Sequence, residues 1–229
     1  MGTTLVAKAF GPKVVLHEVS LQLRPATIHG LVGVNGAGKT TLLNCIYGLT
    51  APDAGTIGEA SGRRVRELTG VLPYEPYFYP RLTGLEYLTF CRQARRQPMV
   101  DVTGWNQLFE LPLNQYAEQY SAGMKKKLAL LGLLIQDFRY LILDEPFNGL
   151  DLETNLLLRE ILLGLRGQGR GILLTSHLLG ALTEVCDEVT VLAAGTVQRH
   201  YAAAEFGQLA ADLQSGDYQQ KLALLRQLL

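Results

Sequence analysis

The first chemical signal in the chain is the string Gly33-Val34-Asn35-Gly36-Ala37-Gly38-Lys39-Thr40. It fits G-x-x-x-x-G-K-[ST], in which glycines let the backbone turn so that successive N–H groups converge on phosphate oxygens. Lys39 is spaced to reach the β- and γ-phosphates of a nucleoside triphosphate, and the Thr40 hydroxyl to ligate Mg²⁺. About one random chain of this length in a hundred carries such a string, so its flanks decide. Ile28 to Val32 reads as a strand and Thr41 to Tyr47 as a helix, which puts Gly33, Asn35, Gly36, Ala37, Gly38, Lys39, Thr40 and Thr41 at a helix N-terminus whose dipole favours phosphate. A second signal is Leu141-Ile142-Leu143-Asp144-Glu145, an apolar strand ending in two acids. Open parallel sheets bind ligands at that edge; Asp144 suits a metal and Glu145 a general base for an attacking water. His177 follows the apolar strand Gly171 to Thr175 at the same expected edge, a place where imidazole chemistry is useful. His17, His29 and His200 read as structural.

Ser121 and the Gly123 backbone are expected at the start of a helix beginning after Gly123, a natural anion position. Lys125, Lys126 and Lys127 crowd its first turn. They read as a solvated basic face, the usual fate of a charge run; the competing reading is a nearby phosphate, because cations there oppose the helix dipole.

The remaining elements must position these residues. Thr3 to Leu23 alternates around Gly11-Pro12 as a β-hairpin. Pro52 to Gly55 is a turn, followed by strand and loop to Arg66, and Gly70 to Leu72 is a buried strand. Thr83-Gly84-Leu85-Glu86 is a capping box, so a helix runs from there to about Arg95. Pro98 and Pro112 break up a short helical region before Tyr120. A helix to about Gln136, the strand Tyr140 to Leu143, a helix Leu152 to Leu165, a helical Ala181 to Val185 and strands 189–192 and 196–198 complete the core. The tail from Ala203 reads as an amphipathic helix.

Composition excludes several classes. The chain has 229 residues with 48% apolar content, and 21 basic residues balance 21 acidic ones. No strong polyanion field is expected, so nucleic acid is not an expected partner. Three scattered cysteines lack metal-ligand spacing and fit small buried thiols in a reducing compartment. No secretory leader is evident, and the longest apolar run, Leu128 to Ile135, is far too short to span a bilayer. Any work at a membrane would need another chain for the membrane part.

Further segments resemble one family, the ATP-binding cassette (ABC) ATPases. Tyr120-Ser121-Ala122-Gly123-Met124 resembles their signature Leu-Ser-Gly-Gly-Gln. Asp144-Glu145-Pro146 with Asn148-Gly149-Leu150-Asp151 resembles their Walker B and D-loop, and Thr175-Ser176-His177 their switch-histidine segment. Phe10 lies where the family carries an aromatic that stacks on adenine. The segments stand in the family's order from about Phe10 to Gly195. The loop 72–83 looks most like the ATPase subunits of bacterial ABC-2-type exporters.

The resemblance implies an α/β fold: a P-loop NTPase core with a mostly parallel central sheet, an antiparallel β segment and a small helical subdomain. It implies a single ABC ATPase domain over 1–229, with core and β segment at 1–79 and 137–200, helical subdomain at 80–136 and a helical tail at 201–229. ATP and Mg²⁺ are the implied ligands, with Ser121 and Gly123 facing the nucleotide of a second copy and His177 contacting the γ-phosphate and attacking water. The implied activity is ATP hydrolysis by a homodimer that drives a separate transmembrane permease, an exporter, from the cytoplasmic face of the membrane. The chain departs from the family at Tyr74, where a Gln usually meets Mg²⁺ and water; Glu75 is one residue late, and Ala122 and Met124 replace a Gly and the Gln of the signature. A neutral phenol is a poor Mg²⁺ ligand, which keeps a second class of function open: a nucleotide-gated interaction module with little turnover. The aromatic and proline-rich segment Pro73 to Pro80 reads either as a small core or as a groove for a membrane partner's helix.

Overall fold

The structure, a computed structural model, describes residues 1–95, 101–177 and 179–214. The expected break at Pro98 and the tail beyond 214 lie outside the described residues.

Two sheets organise the chain. Strands β1 (Gly2–Phe10), β2 (Lys13–Gln22) and β4 (Ala54–Gly58) form an antiparallel sheet in the order β2-β1-β4, with the Gly11 turn closing the expected hairpin. The larger sheet takes β3 (Thr27–Val32), β5 (Thr69–Leu72), β6 (Tyr140–Leu143), β7 (Gly171–Thr175), β8 (Glu188–Ala193) and β9 (Thr196–Ala202) in the order β5-β6-β7-β3-β8-β9. All its pairs are parallel except β8 with β9. The expected α/β fold with a mostly parallel central sheet is therefore the one observed.

Unbroken apolar strands follow from a sheet covered on both faces. Along β6, Leu141 and Leu143 enter one core while Tyr140 and Ile142 enter the other. Along β7, Ile172 and Leu174 face the first core and Leu173 the second. The first core is closed by helices α3 (Gly84–Ala94), α5 (Ala122–Leu134), α6 (Leu152–Gly167) and α7 (Leu179–Val185). The second is closed by the antiparallel sheet, α1 (Lys39–Tyr47) and α2 (Val65–Leu68). Helix α4 (Val102–Asn106) and α8 (Phe206–Gln214), with short 3-10 turns at Ala117–Gln119 and Ala203–Glu205, complete the described elements.

Local chemistry sets the helix starts. The Thr83 hydroxyl accepts from the Glu86 N–H at 3.2 Å and the Glu86 carboxylate accepts from the Thr83 N–H at 2.8 Å, the capping box read from the sequence. Helix α5 begins at Ala122, two residues earlier than expected, because the Ser121 hydroxyl accepts from the Met124 N–H at 3.2 Å and makes Ser121 the N-cap. All three cysteines are buried free thiols. No described helix is long and apolar enough to cross a membrane.

Candidate functional site

Strand order brings the chemical residues together. In the order β6-β7-β3, the carboxyl ends of three adjacent parallel strands deliver Asp144, His177 and the loop after Val32 to one edge. The loop itself needs its glycines at two points. A Cβ on Gly33 would stand 2.2 Å from the Leu192 carbonyl oxygen, and Gly38 has φ +105° with a Cβ position 2.8 Å from Leu16 Cδ2. Side chains at either position would push the loop off the sheet. Gly38 caps α1 without a side-chain hydrogen bond, so the first-turn amides of α1 are left to a ligand.

Beside the loop lies a cleft of about 630 Å³ lined among others by Phe10, Asn35, Gly36, Ala37, Lys39, Thr40 and Thr41. Phe10 is exposed at its wall, with the Lys8 amine 5.5 Å from its ring centre. The Lys39 amine folds back onto the Gly33 carbonyl at 2.6 Å. Thr40 Oγ1 donates to Asp144 Oδ2 at 3.2 Å. A hydroxyl and a carboxylate at that separation are hard oxygen donors of the kind Mg²⁺ takes, so these residues fit that cation.

From Asp144 a chain of contacts runs along the edge. Thr175 Oγ1 donates to Asp144 Oδ1 at 2.6 Å and accepts from the Glu145 N–H at 2.9 Å. Glu145 Oε2 accepts from the His177 backbone N–H at 3.3 Å and lies 2.9 Å from His177 Nδ1. Glu145 holds φ at +49°. That conformation costs a non-glycine residue about 1–3 kcal/mol and persists only where neighbours over-determine it. Two of those neighbours were not legible as functional in the sequence. Thr175 ends an apolar strand in register with β6, and a hydroxyl at that edge was the available signal. Lys126 was misread.

The lysine run is not a solvated face. Lys126 is 5% exposed, and its amine donates to the carbonyls of Glu145 at 2.7 Å and Asn148 at 2.8 Å. Burial pushes this amine below its ordinary value, while the charges of Glu145 and Asp144 pull it back up. Lys127 pairs with Asp151 at 3.0 Å; Asp151 caps α6, and its bonds from Thr154 and Lys127 hold its carboxyl well below the usual range. Helix periodicity gives no warning of it, since α5 buries every residue from Leu128 to Leu133 and has no single buried stripe.

Ser121 and Gly123 are not among the residues lining the phosphate-loop cleft. Gly123 instead packs toward Gly149, its Cβ position 3.0 Å from the Gly149 carbonyl, beside a second pocket containing Tyr74 and Asn148. The Tyr74 hydroxyl accepts from Asn148 Nδ2 at 3.0 Å. In the next turn Phe78 is 6% exposed and stacks edge-on against Tyr87 at 4.9 Å, whereas Tyr77 and Tyr79 are 75% and 73% exposed. The segment divides its aromatics: Phe78 enters the core, while Tyr74, Tyr77 and Tyr79 are exposed.

A mostly parallel sheet with a glycine-rich phosphate loop leaving an inner strand defines an α/β P-loop NTPase fold. The chain belongs to the ABC transporter family, whose sequence model matches residues 16–148, more than half of it. That span takes in the phosphate loop, Ser121 to Gly123 and Asp144-Glu145; Phe10 and His177 lie outside it. An uncharacterized ABC transporter ATP-binding protein of Synechocystis sp. is 34% identical over 79% of this chain and 54% of its own length. Nod factor export ATP-binding protein I of Rhizobium etli is 35% identical over 83% of this chain and 64% of its own. A solved structure described as an ATP binding subunit of an ABC transporter superposes with TM-score 0.84 at 25% identity, covering 98% of both chains. The chain spans between 54% and 66% of the length of the curated relatives cited and of others like them.

Proposed function

We propose that the chain binds and hydrolyses ATP as the nucleotide-binding subunit of an ABC exporter. The observation that carries the reading is the run Thr40–Asp144–Thr175–Glu145–His177, contiguous by hydrogen bonds along one sheet edge beside the phosphate loop. Lys39 and the loop amides hold the phosphates, while Gly33, Asn35, Gly36, Ala37, Gly38 and Thr41 shape the cradle. Thr40 and Asp144 would hold Mg²⁺, which when bound neutralises phosphate charge. Glu145 polarises water, and His177, held on Glu145, steadies the charge that develops on the transferred phosphoryl group. Phe10 stacks on the base; base–aromatic stacking contributes about 1–3 kcal/mol, so Phe10→Ala weakens ATP binding several-fold or more.

A homodimer follows from the separation of Ser121 and Gly123 from the chain's own cleft. Each is free to meet the nucleotide of a second copy, at a helix start suited to phosphate. In this reading the permease is a separate chain and this subunit works peripherally at the cytoplasmic face; no described helix is a membrane span. Export is supported by the Nod factor export relatives. Exposed Tyr77 and Tyr79 supply a docking surface of the kind a permease helix fits. The division into core (1–79 and 137–200), helical subdomain (80–136) and tail (201–229) belongs to the same reading.

Glu145→Gln tests it. ATP affinity is expected to stay, turnover to be nearly abolished, and a dimer to accumulate with ATP in size-exclusion chromatography; Lys39→Ala weakens nucleotide binding instead. Turnover at the wild-type rate in Glu145→Gln rejects the assignment of the base. Tyr74 favours the second reading, a nucleotide-gated module, because its phenol is engaged by Asn148 and ligates Mg²⁺ poorly. Single-turnover hydrolysis separates the two.

A further inference from the structure

Lys126 is a cation in a place that charges avoid without a reason. Burying an ammonium is costly unless its donors are satisfied, and this one spends them on backbone: the Glu145 carbonyl at 2.7 Å and the Asn148 carbonyl at 2.8 Å. The ring of Tyr74 lies 5.6 Å from the amine, and Asn148 in turn donates to the Tyr74 hydroxyl at 3.0 Å. Lys126, Tyr74 and Asn148 line one pocket of about 370 Å³ with Glu75, Ala122 and Gly149 among others.

The residue at the end of this arrangement is the strained one. Glu145 holds φ at +49°, and its carbonyl accepts twice: from the Asn148 N–H within its own turn at 3.2 Å and, more closely, from the Lys126 amine at 2.7 Å. Thr175 Oγ1 holds the N–H of the same residue at 2.9 Å. With both ends of the residue clamped, its side chain is set on course for His177 Nδ1, 2.9 Å away.

We infer that Lys126 is a positioning residue: by clamping the Glu145 carbonyl it aims the Glu145 carboxylate at His177 and at the water to be polarised, and Tyr74 and Asn148 hold Lys126 in place. The inference rests on the reading of Glu145 as the base, and acts entirely through that residue.

Three chains test it: Lys126→Met, which keeps the stem and removes the donors; Lys126→Arg, which keeps donors; and Lys126→Met combined with Glu145→Gln. Turnover at saturating ATP and the Kd for ATP are measured on each. Lys126→Met is expected to lower kcat about tenfold or more, since displacements near 1 Å are that costly, with Kd within about twofold. Lys126→Arg recovers kcat to within about threefold of wild type. With Glu145 already changed to Gln, the Met substitution has no further effect on the residual rate. The second readout needs no turnover. The ring ¹⁵N signal of His177, assigned among the four histidines by its loss in His177→Gln, reports the contact with Glu145. In Lys126→Met it moves to the position seen in Glu145→Gln.

The inference is overturned if Lys126→Met turns over ATP at the wild-type rate, if its cost is the same factor in the Glu145→Gln chain, or if the His177 signal does not move. Should Lys126→Met fail to fold, Tyr74→Leu at its exposed position carries the test: the His177 signal must move the same way and kcat fall with Kd kept, and an unmoved signal overturns the inference. Wild-type turnover in Glu145→Gln alone defeats the reading of the base, and the His177 signal then decides the clamp by itself.

Discussion

Two glutamate–histidine pairs in this molecule have nearly the same length and opposite surroundings. Glu145 and His177 lie 2.9 Å apart with side chains 11% and 55% exposed; Glu188 and His29 lie 3.0 Å apart at 5% and 3%. The first pair sits beyond the carboxyl ends of β6 and β7. The second sits inside the sheet, directly opposed across β3 and β8. Glu188 also takes the Arg24 guanidinium and, at 3.3 Å, His200 Nε2, while His29 Nε2 lies 2.8 Å from the Thr190 hydroxyl. One carboxylate is ringed by donors and the other engages His177 through a single oxygen. Within the sheet, where β8 begins, the pair is a fastening; beyond the ends of β6 and β7 the same two side chains form a pair whose histidine is exposed.

The sharpest way to break this contrast is to remove one member of each pair. His177→Ala is expected to lower ATP turnover by about 100-fold or more and to leave the melting temperature within a degree or two, because the ring is largely exposed. Glu188→Ala reverses the pattern. It takes the shared carboxylate from the buried His29 and from Arg24 and costs about 3 kcal/mol, or roughly 6–12 °C in melting temperature for a chain of this size, with turnover per folded molecule kept. If both variants lose stability alike, the contrast fails.

A pH series refines the second half. Hydrogen bonding and charge from His29, then Arg24 and His200, hold the Glu188 carboxyl down to about 2 against an ordinary 4.5. Folding thus favours the ionised form, so this stabilisation is complete above about pH 5 and is lost as pH falls toward 2. Calorimetry across that range should show a shallower acid limb for Glu188→Gln than for wild type. Equal slopes would remove Glu188 from the account.

The smallest expected effect on the fold tests the same buried-against-exposed logic in the proline-rich loop. Tyr77→Ser with Tyr79→Ser should leave melting nearly unchanged and reduce recovery of the chain with membranes. Phe78→Ala should cost about 3–5 kcal/mol. Normal membrane recovery of the double variant rejects docking there.

How far the sequence was legible follows the same division. Apolar runs that fill both faces of a parallel sheet, and caps such as Thr83 with Glu86, are local signals, and β3, β5, β6, β7, β8 and the start of α3 came out within a residue of where those signals put them, whereas β4 starts inside the expected turn, α2 was not expected and β9 runs on to Ala202. The placement of Asp144, His177 and the phosphate loop on one edge was legible because strand ends carry them. What could not be read was tertiary compensation. Lys126 looks like its neighbours until its amine is seen to reach the Glu145 carbonyl of a strained turn 19 positions away. The left-handed Glu145 has no sequence mark. The division of Tyr77, Phe78 and Tyr79 between surface and core depends on where α3 packs.

The place of β3 in the sheet has a consequence for the making of this chain. Both neighbours of β3, whose last residue is Val32, come much later: β7 begins at Gly171 and β8 ends at Ala193. At ribosomal speeds of about 5–20 residues per second, roughly 8–32 s pass between the synthesis of β3 and that of its second partner. Throughout that interval the nascent chain displays an apolar strand with two open edges, the state most prone to wrong pairing. The order of synthesis thus leaves one edge of β3 open until β8 has emerged, and a chain cut short before β8 would keep that edge open for good.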